Sequence, residues 1–239
     1  MSDEKHPQAR TFDALNARGL ASKREYVRGL EQRRDPEALS LLVECLCDES
    51  WYLRDLAEQV FLRLGESTAG LLLPLLDTGL WFTRTSAAGV LGRLAYGPAV
   101  PGLLRLAEDL NRTGADAARD ALVAVGRGGG AVRLAHDLHR LPPDRRRRRL
   151  DEVGARDRSL AERIERLMRN EELMSLEDES LLTDDSPLVR ASEDGFEWEV
   201  LTSPAPPKGH AAGGPAGAAP PAGAPAPPAA GEGDDARGA

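Results

Sequence analysis

Apolar positions between residues 22 and 175 recur at helical spacing, in paired stripes separated by short polar breaks. Asp35-Pro36 is a helix start, a capping acid followed by proline at the first helical position. Leu39, Leu42, Val43 and Leu46 form the stripe of that helix, and Asp48-Glu49-Ser50 breaks it. A second stripe runs from Trp51 to Leu64 and is closed by Gly65. The next pair covers residues 68–76 and 80–94, with Thr78-Gly79 between. The third covers 100–110 and 115–125, with Thr113-Gly114 between and Gly126 closing. Upstream, Tyr26, Val27 and Leu30 predict a half-repeat helix capped by Ser22. Downstream, Gly128-Gly129-Gly130 leads into residues 131–141, Pro142-Pro143-Asp144 opens a short helix through Val153, and 159–174 reads as a final helix. In that final helix Leu160, Ile164, Leu167 and Met168 share one side, leaving a polar face to cap the stack.

The second helices of these pairs repeat one phrase. Trp51-Tyr52-Leu53-Arg54 through Gly65 recurs 30 residues later as Trp81-Phe82-Thr83-Arg84 through Ala95, and a fainter copy ends in residues 118–126. The shared skeleton is W-[YF]-x-R-x-x-A-x-x-V-[FL]-x-R-L-[GA], and the third copy has Ala115 where the others have arginine. A fixed period in this range signals stacked helical units that bury their apolar faces only against each other. Such stacks present a long surface and commonly serve as binding platforms.

The repeat resembles HEAT repeats, and is similar to the short bacterial variety also found in phycocyanobilin lyases. The matching positions are Asp48, Arg54, Ala57, Leu64 and Gly65, then Asp77, Arg84, Ala87 or Ala88, and Leu94. The period is shorter than the 40–47 residues usual for HEAT arrays. The resemblance implies an all-α fold, a right-handed α-solenoid of about four to five helical hairpins over residues 22–175. It also implies that the Asp and Arg of the pattern form a ladder between neighbouring repeats.

Outside that body the composition changes. Residues 1–21 are polar and predict a flexible N-terminus, 176–203 an acidic linker, and 204–239 a disordered Ala/Pro/Gly-rich tail with no aliphatic side chain larger than Ala. The net charge of −8 divides unevenly. Residues 1–160 hold 25 Lys and Arg against 23 Asp and Glu, and residues 161–239 hold 6 against 16. A near-neutral body lacks the basic stripe expected of a nucleic-acid binder. No apolar stretch approaches a membrane span or signal core, and cysteine is sparse. These features predict a cytoplasmic protein, and the preference for Arg over Lys with much Ala and Gly suits a GC-rich bacterial genome.

Candidate binding residues follow from the repeat. Trp51, Tyr52, Trp81 and Phe82 hold most of the aromatic surface of the body. They serve inter-repeat packing or anchor a partner, and both hold if one aromatic of each pair points inward and the other outward. Arg54 and Arg84 occupy equivalent places and serve the ladder or contact a ligand. Asp194-Gly195-Phe196-Glu197-Trp198-Glu199-Val200-Leu201 alternates acidic and apolar residues like a short linear motif, with Phe196 and Trp198 as its aromatics.

Other features carry less. Five consecutive arginines from Arg145 spread around a helix as a solvated sleeve, or a dock for the acidic tail, with no aromatic among them for base stacking. His136 and His139 share a helix face without further metal ligands, and read as helix surface. Cys45 and Cys47 fall on different helix faces and predict neither a bridge nor a metal site. No hydrolase elbow or phosphate loop is present, and Gly126 to Gly130 reads as a turn. The reading is a non-catalytic scaffold or adaptor, without cofactor or metal, binding another protein through the groove of the second helices. The acidic-aromatic motif would be a second contact. The alternatives are a nucleic-acid binder using the arginine run and a glycosylase-type enzyme using Trp51 and Asp55.

Overall fold

The structure is a computed structural model that describes residues 19–186 and Val189. Contacts divide the chain into Met1–Glu197 and Trp198–Ala239, and all described residues belong to the first unit. The motif at Phe196 and Trp198, the tail 204–239 and most of the N-terminal segment lie outside the described residues.

All regular structure among the described residues is helical. The first three helices are α1 (Leu20–Arg33), α2 (Pro36–Cys47) and α3 (Trp51–Leu64). A 3-10 turn (Glu66–Leu72) precedes α4 (Leu75–Thr78) and α5 (Trp81–Arg93). Another (Gly97–Ala99) precedes α6 (Val100–Leu106) and α7 (Arg112–Val125). A π-type turn (Gly126–Gly130) joins α7 to α8 (Ala131–His139). Then come α9 (Pro143–Arg156), α10 (Arg158–Leu167) and α11 (Glu171–Met174).

Local chemistry explains these limits. Asp35 accepts the Ala38 N–H and starts α2 as its sequence predicts. The first helix starts at Leu20 after Gly19, whose φ of 82° few other residues adopt, so Ser22 falls inside the first turn. Pro74, with no N–H to donate, divides the helix expected over 68–76. Thr113 and Gly114, read as a turn, lie in the first turn of α7, because Asn111 accepts the Gly114 N–H and starts the helix there. Gly126 does not stop α7. The backbone continues into α8 with Gly129 at φ 103° absorbing the kink. The expected final helix is two, divided where Asn170 caps α11.

The long helices α3, α5, α7 and α9 begin at residues 51, 81, 112 and 143, spacings of 30, 31 and 31. Each packs on the next, and α1 packs on α3. The shorter α4, α6 and α8 follow one another alongside. Equivalent positions are buried alike: Ala57, Ala87 and Ala118 in one register, Phe61, Leu91 and Leu122 in another. Small side chains let neighbouring backbones approach closely, and a Cβ on Gly92 of α5 would stand 2.7 Å from the Ala121 Cα of α7. Arginines in the last turns of α3, α5 and α9 reach back to the helix packed before them, in Arg63–Glu31 (2.8 Å), Arg93–Glu58 (2.7 Å) and Arg156–Asp120 (2.6 Å), whereas the last turn of α7 holds no basic residue.

The chain does not leave the body at residue 175. His136 Nε2 lies 3.0 Å from the Leu176 carbonyl, and Arg133 pairs with Glu179 at 2.8 Å. Asp184 accepts from Val132 N at 2.9 Å and from Arg163 at 2.8 Å, while Leu182 is buried. The first part of the stretch read as an acidic linker is thus strapped over α8 by its own acids.

Candidate functional site

The first turns of the long helices lie in a row, tied to one another by side chains from the repeat. Lys23 Nζ of α1 donates to Ser50 Oγ (3.2 Å), and Arg24 Nε donates to Tyr52 Oη (3.2 Å). The Arg54 guanidinium of α3 sits 4.5 Å from the centroid of Phe82 in α5, a cation–π contact. Arg84 of α5 pairs with Asp109, in the loop before α7, at 2.7 Å. Arg54 also donates to the carbonyls of Asp48 (2.7 Å) and Glu49 (2.9 Å), in the turn just beyond α2.

Within each aromatic pair, one ring goes in and one out. Tyr52 and Phe82 are half-buried beneath arginines, whereas Trp51 is 69% exposed and Trp81 48%. Trp51 stands edge-on to Tyr52 (5.7 Å between centroids), and Trp81 edge-on to Phe82 (5.6 Å). Leu20, Leu80 and Leu110 are exposed at the same helix starts. The result is an apolar ridge along the edge where these helices begin. Sequence reasoning missed the three leucines. Their signal was a large aliphatic residue at or next to a helix start, where a polar capping residue is the usual choice.

Several helix starts on this edge leave their first-turn N–H groups without a side-chain cap. α1, α3, α5 and α9 start without a side-chain cap, since Gly19, Leu80 and Pro142 offer no acceptor and Ser50 is engaged by Lys23. Their first-turn N–H groups carry the positive ends of the helix dipoles. Clefts open between the long helices. One of about 510 Å³ between α1 and α3 is lined by Arg24, Tyr52, Asp55, Gln59 and Arg63. Another of about 420 Å³ at α3, α5 and α7 is lined by Glu58, Ser86, Gly89, Arg93 and Ala117.

Two sequence expectations require correction. The run from Arg145 to Arg149 is not a uniformly solvated sleeve. Arg149 is 3% exposed and pairs with Glu152, and Arg146 donates to the His139 (2.6 Å) and Leu141 (3.2 Å) carbonyls. The physical reason is register, because these residues fall on the positions that face the stack in α3, α5 and α7. His136 is not on a helix surface either. It is 2% exposed beneath the strap, because α8 is covered by α6, α10, α11 and residues 176–186. His139 is half-buried, and burial with the nearby Arg146 cation pushes its imidazole below the ordinary value.

Asp55, the acid of the enzyme alternative, is exposed and accepts from Gln59 at 2.7 Å. Cys45 is buried and its thiol is pushed up to about 12, mainly by desolvation. Among the described residues no cluster of three or more His, Cys, Asp or Glu has the arrangement to hold a metal ion. None of their helices is long and apolar enough to cross a membrane. No protein-family model and no curated protein matches the chain.

Proposed function

We propose that this chain is a non-catalytic protein-interaction scaffold, a right-handed α-solenoid of HEAT-like helical hairpins. Its partner would be a segment of another protein that carries apolar anchors among acidic residues. The observation that carries the reading is the ridge of Leu20, Trp51, Leu80, Trp81 and Leu110 along adjacent helix starts. Large apolar side chains left exposed along adjacent helix starts mark an interaction surface, and tryptophan is prominent among the residues that dominate binding energy. Lys23, Arg24, Arg54 and the uncapped helix starts supply positive potential beside the ridge, which draws an acidic segment and fixes its direction. Tyr52, Phe82, Arg54 and Arg84 act beneath the ridge, holding the tryptophans in place. The motif at Phe196 and Trp198 offers a second contact, and two weak contacts on one chain gain avidity. Cytoplasmic residence suits such an adaptor.

The test uses full-length chain as bait in extract of its native host, beside Trp51→Ala/Trp81→Ala and a chain ending at Arg190. Recombinant forms of the captured protein are then titrated against all three baits. Loss of at least about tenfold in affinity for the double variant, which corresponds to 1.4 kcal/mol, supports the ridge. Unchanged affinity for a bait that unfolds like the wild type rejects it. Loss only on truncation moves recognition to the motif. Enrichment of nucleic acid in place of protein would reject the reading.

A further inference from the structure

One register position in the long helices breaks its own rule. Ala57, Ala87 and Ala118 occupy it in α3, α5 and α7, all fully buried, and Arg149 occupies it in α9. Three residues on, Val60, Val90 and Ala121 give way to Glu152. A fold that fills this seam with methyl and isopropyl groups three times places an ion pair there the fourth time. Buried ion pairs are weak stabilisers, since desolvation offsets their attraction. A local choice at odds with the packing pattern is a mark of a functional position.

The exchange opens a polar cleft of about 380 Å³ between the α6–α7 loop and α9, where four arginines (Arg119, Arg145, Arg148, Arg149) face three acids, Glu108, Glu152 and Asp109, the last already paired with Arg84. Arg149 is held within it by Glu152, and its Nε, also buried, has no hydrogen-bond partner. Arg119 is fixed from behind by the Ala107 carbonyl (2.9 Å) and Asp116 (2.8 Å), and its Nε stands 3.3 Å from the same Glu152 carboxylate that pairs with Arg149. Arg145 and Arg148 are exposed at the rim, and Arg148 makes no ion pair among the described residues. Glu108 stands 3.6 Å from Arg145 and 3.8 Å from Arg149, beyond hydrogen-bonding distance, so it does not close the cleft.

We propose that this cleft is a binding site for a phosphate monoester dianion. Planar guanidinium forks converging from one helix suit a tetrahedral group with several acceptor oxygens. A phosphate monoester carries about −1.5 to −2 charges at neutral pH, enough to displace the loosely held Glu108 carboxylate. A single carboxylate would add little to what Glu108 already supplies. The site adjoins the aromatic ridge at the α6–α7 loop, where Asp109 lines the cleft and pairs with Arg84, and would give the scaffold a phosphorylation-dependent contact or a small phosphorylated effector. The shared chemistry is the phosphoryl group in both cases.

The full chain is titrated with inorganic phosphate at constant ionic strength, and with a fluorescent phosphoserine peptide and its unphosphorylated form. Variants are Arg145→Ala, Arg148→Ala and Arg149→Ala, the last placing at its position the residue that three sister helices carry. Saturable phosphate binding with a Kd of about 1 mM or tighter is expected, falling roughly tenfold in each rim variant, the size of a lost charge-assisted hydrogen bond. A peptide that binds more tightly than inorganic phosphate assigns the site to phosphorylated protein, and equal affinity assigns it to a small phosphorylated molecule. Arg148→Ala keeps the test valid should Arg149→Ala fold poorly. Failure of phosphate to saturate, the same response to chloride, or undiminished binding by folded Arg145→Ala and Arg148→Ala would overturn the proposal.

Discussion

Arg146 does for α9 what Arg54 does for α3. Each sits three residues beyond the first residue of its long helix and donates to two carbonyls at or just past the end of the helix before it. For Arg54 these are Asp48 and Glu49, and for Arg146 they are His139 and Leu141. Carbonyls at a helix end and in the turn after it lack intrahelical partners, and a half-buried guanidinium that supplies donors to two of them ties the start of one helix to the end of the one before.

The five arginines from Arg145 should therefore separate sharply under mutation. Arg146→Ala removes hydrogen bonds from a charged donor and is expected to cost about 1–3 kcal/mol. Arg147→Ala, on the exposed side of the same helix, is expected to stay within about 0.5 kcal/mol. Urea unfolding of the two variants beside wild type measures both. Equal effects would mean that Arg146 does not hold the α8–α9 corner.

Two glycines of α5 make a paired test of close packing. A Cβ on Gly92 would lie 2.7 Å from the Ala121 Cα and 2.8 Å from its Cβ, and backbone cannot move aside cheaply. Gly92→Ala is expected to destabilise by about 1–3 kcal/mol as α5 and α7 are forced apart. On Gly89 the nearest atom would be the Arg93 Nη2 at 3.9 Å, at the end of a flexible side chain. Gly89→Ala is expected to stabilise by up to about 1 kcal/mol through helix propensity. Opposite shifts in Tm carry the point, and a shift of the same sign in both would refute the α5–α7 contact.

These cases show what the sequence could and could not express. The long helices were legible because Trp51, Trp81 and the leucines after them repeat at a fixed spacing, and burial follows that spacing directly. The fourth copy was not legible. Its positions carry Arg146, Arg149 and Glu152 in place of the skeleton's small and apolar residues, and five identical side chains conceal which of them faces inward. The partition of Trp51 and Trp81 outward, Tyr52 and Phe82 inward, depends on neighbours Arg24 and Arg54, which only the packed helices bring to the rings. The strap of residues 176–186 read as linker because its acids show no periodicity. Their partners, Arg133, Val132 and Arg163, are distant in sequence.

The cysteines offer a chemical test of burial on α2. Desolvation raises both thiols, Cys45 to about 12, and Cys47 also though it is only half-buried and bonded to Thr83. The thiolate is the reactive form, so neither alkylates readily in the native protein at pH 8. Cys47 is expected to react first with iodoacetamide and Cys45 only after global unfolding, as followed by mass spectrometry of peptides. Prompt labelling of Cys45 would mean that α2 does not pack as described.

Acid pH reaches the fold at Asp157, the residue between α9 and α10. Its carboxylate accepts from the Leu160 N–H (3.0 Å), which caps α10, from Arg127 Nε (2.6 Å) and from Ser159 Oγ (2.9 Å). These bonds, the backbone one foremost, lower its pKa to about 2. An unfolded aspartate titrates near 3.9, so folding favours the ionised form. That contribution is complete above the unfolded value, shrinks as pH falls below it, and is lost once pH passes through the folded value. Asp157→Asn keeps a capping acceptor but cannot ionise. The stability difference between wild type and Asp157→Asn should therefore be constant at neutral pH and narrow between about pH 4 and pH 2. Denaturation across that range, with the Asp157 carboxyl followed by NMR, measures both. A carboxyl that titrates near 4 in the folded chain would show that the α9–α10 corner is not closed by this side chain.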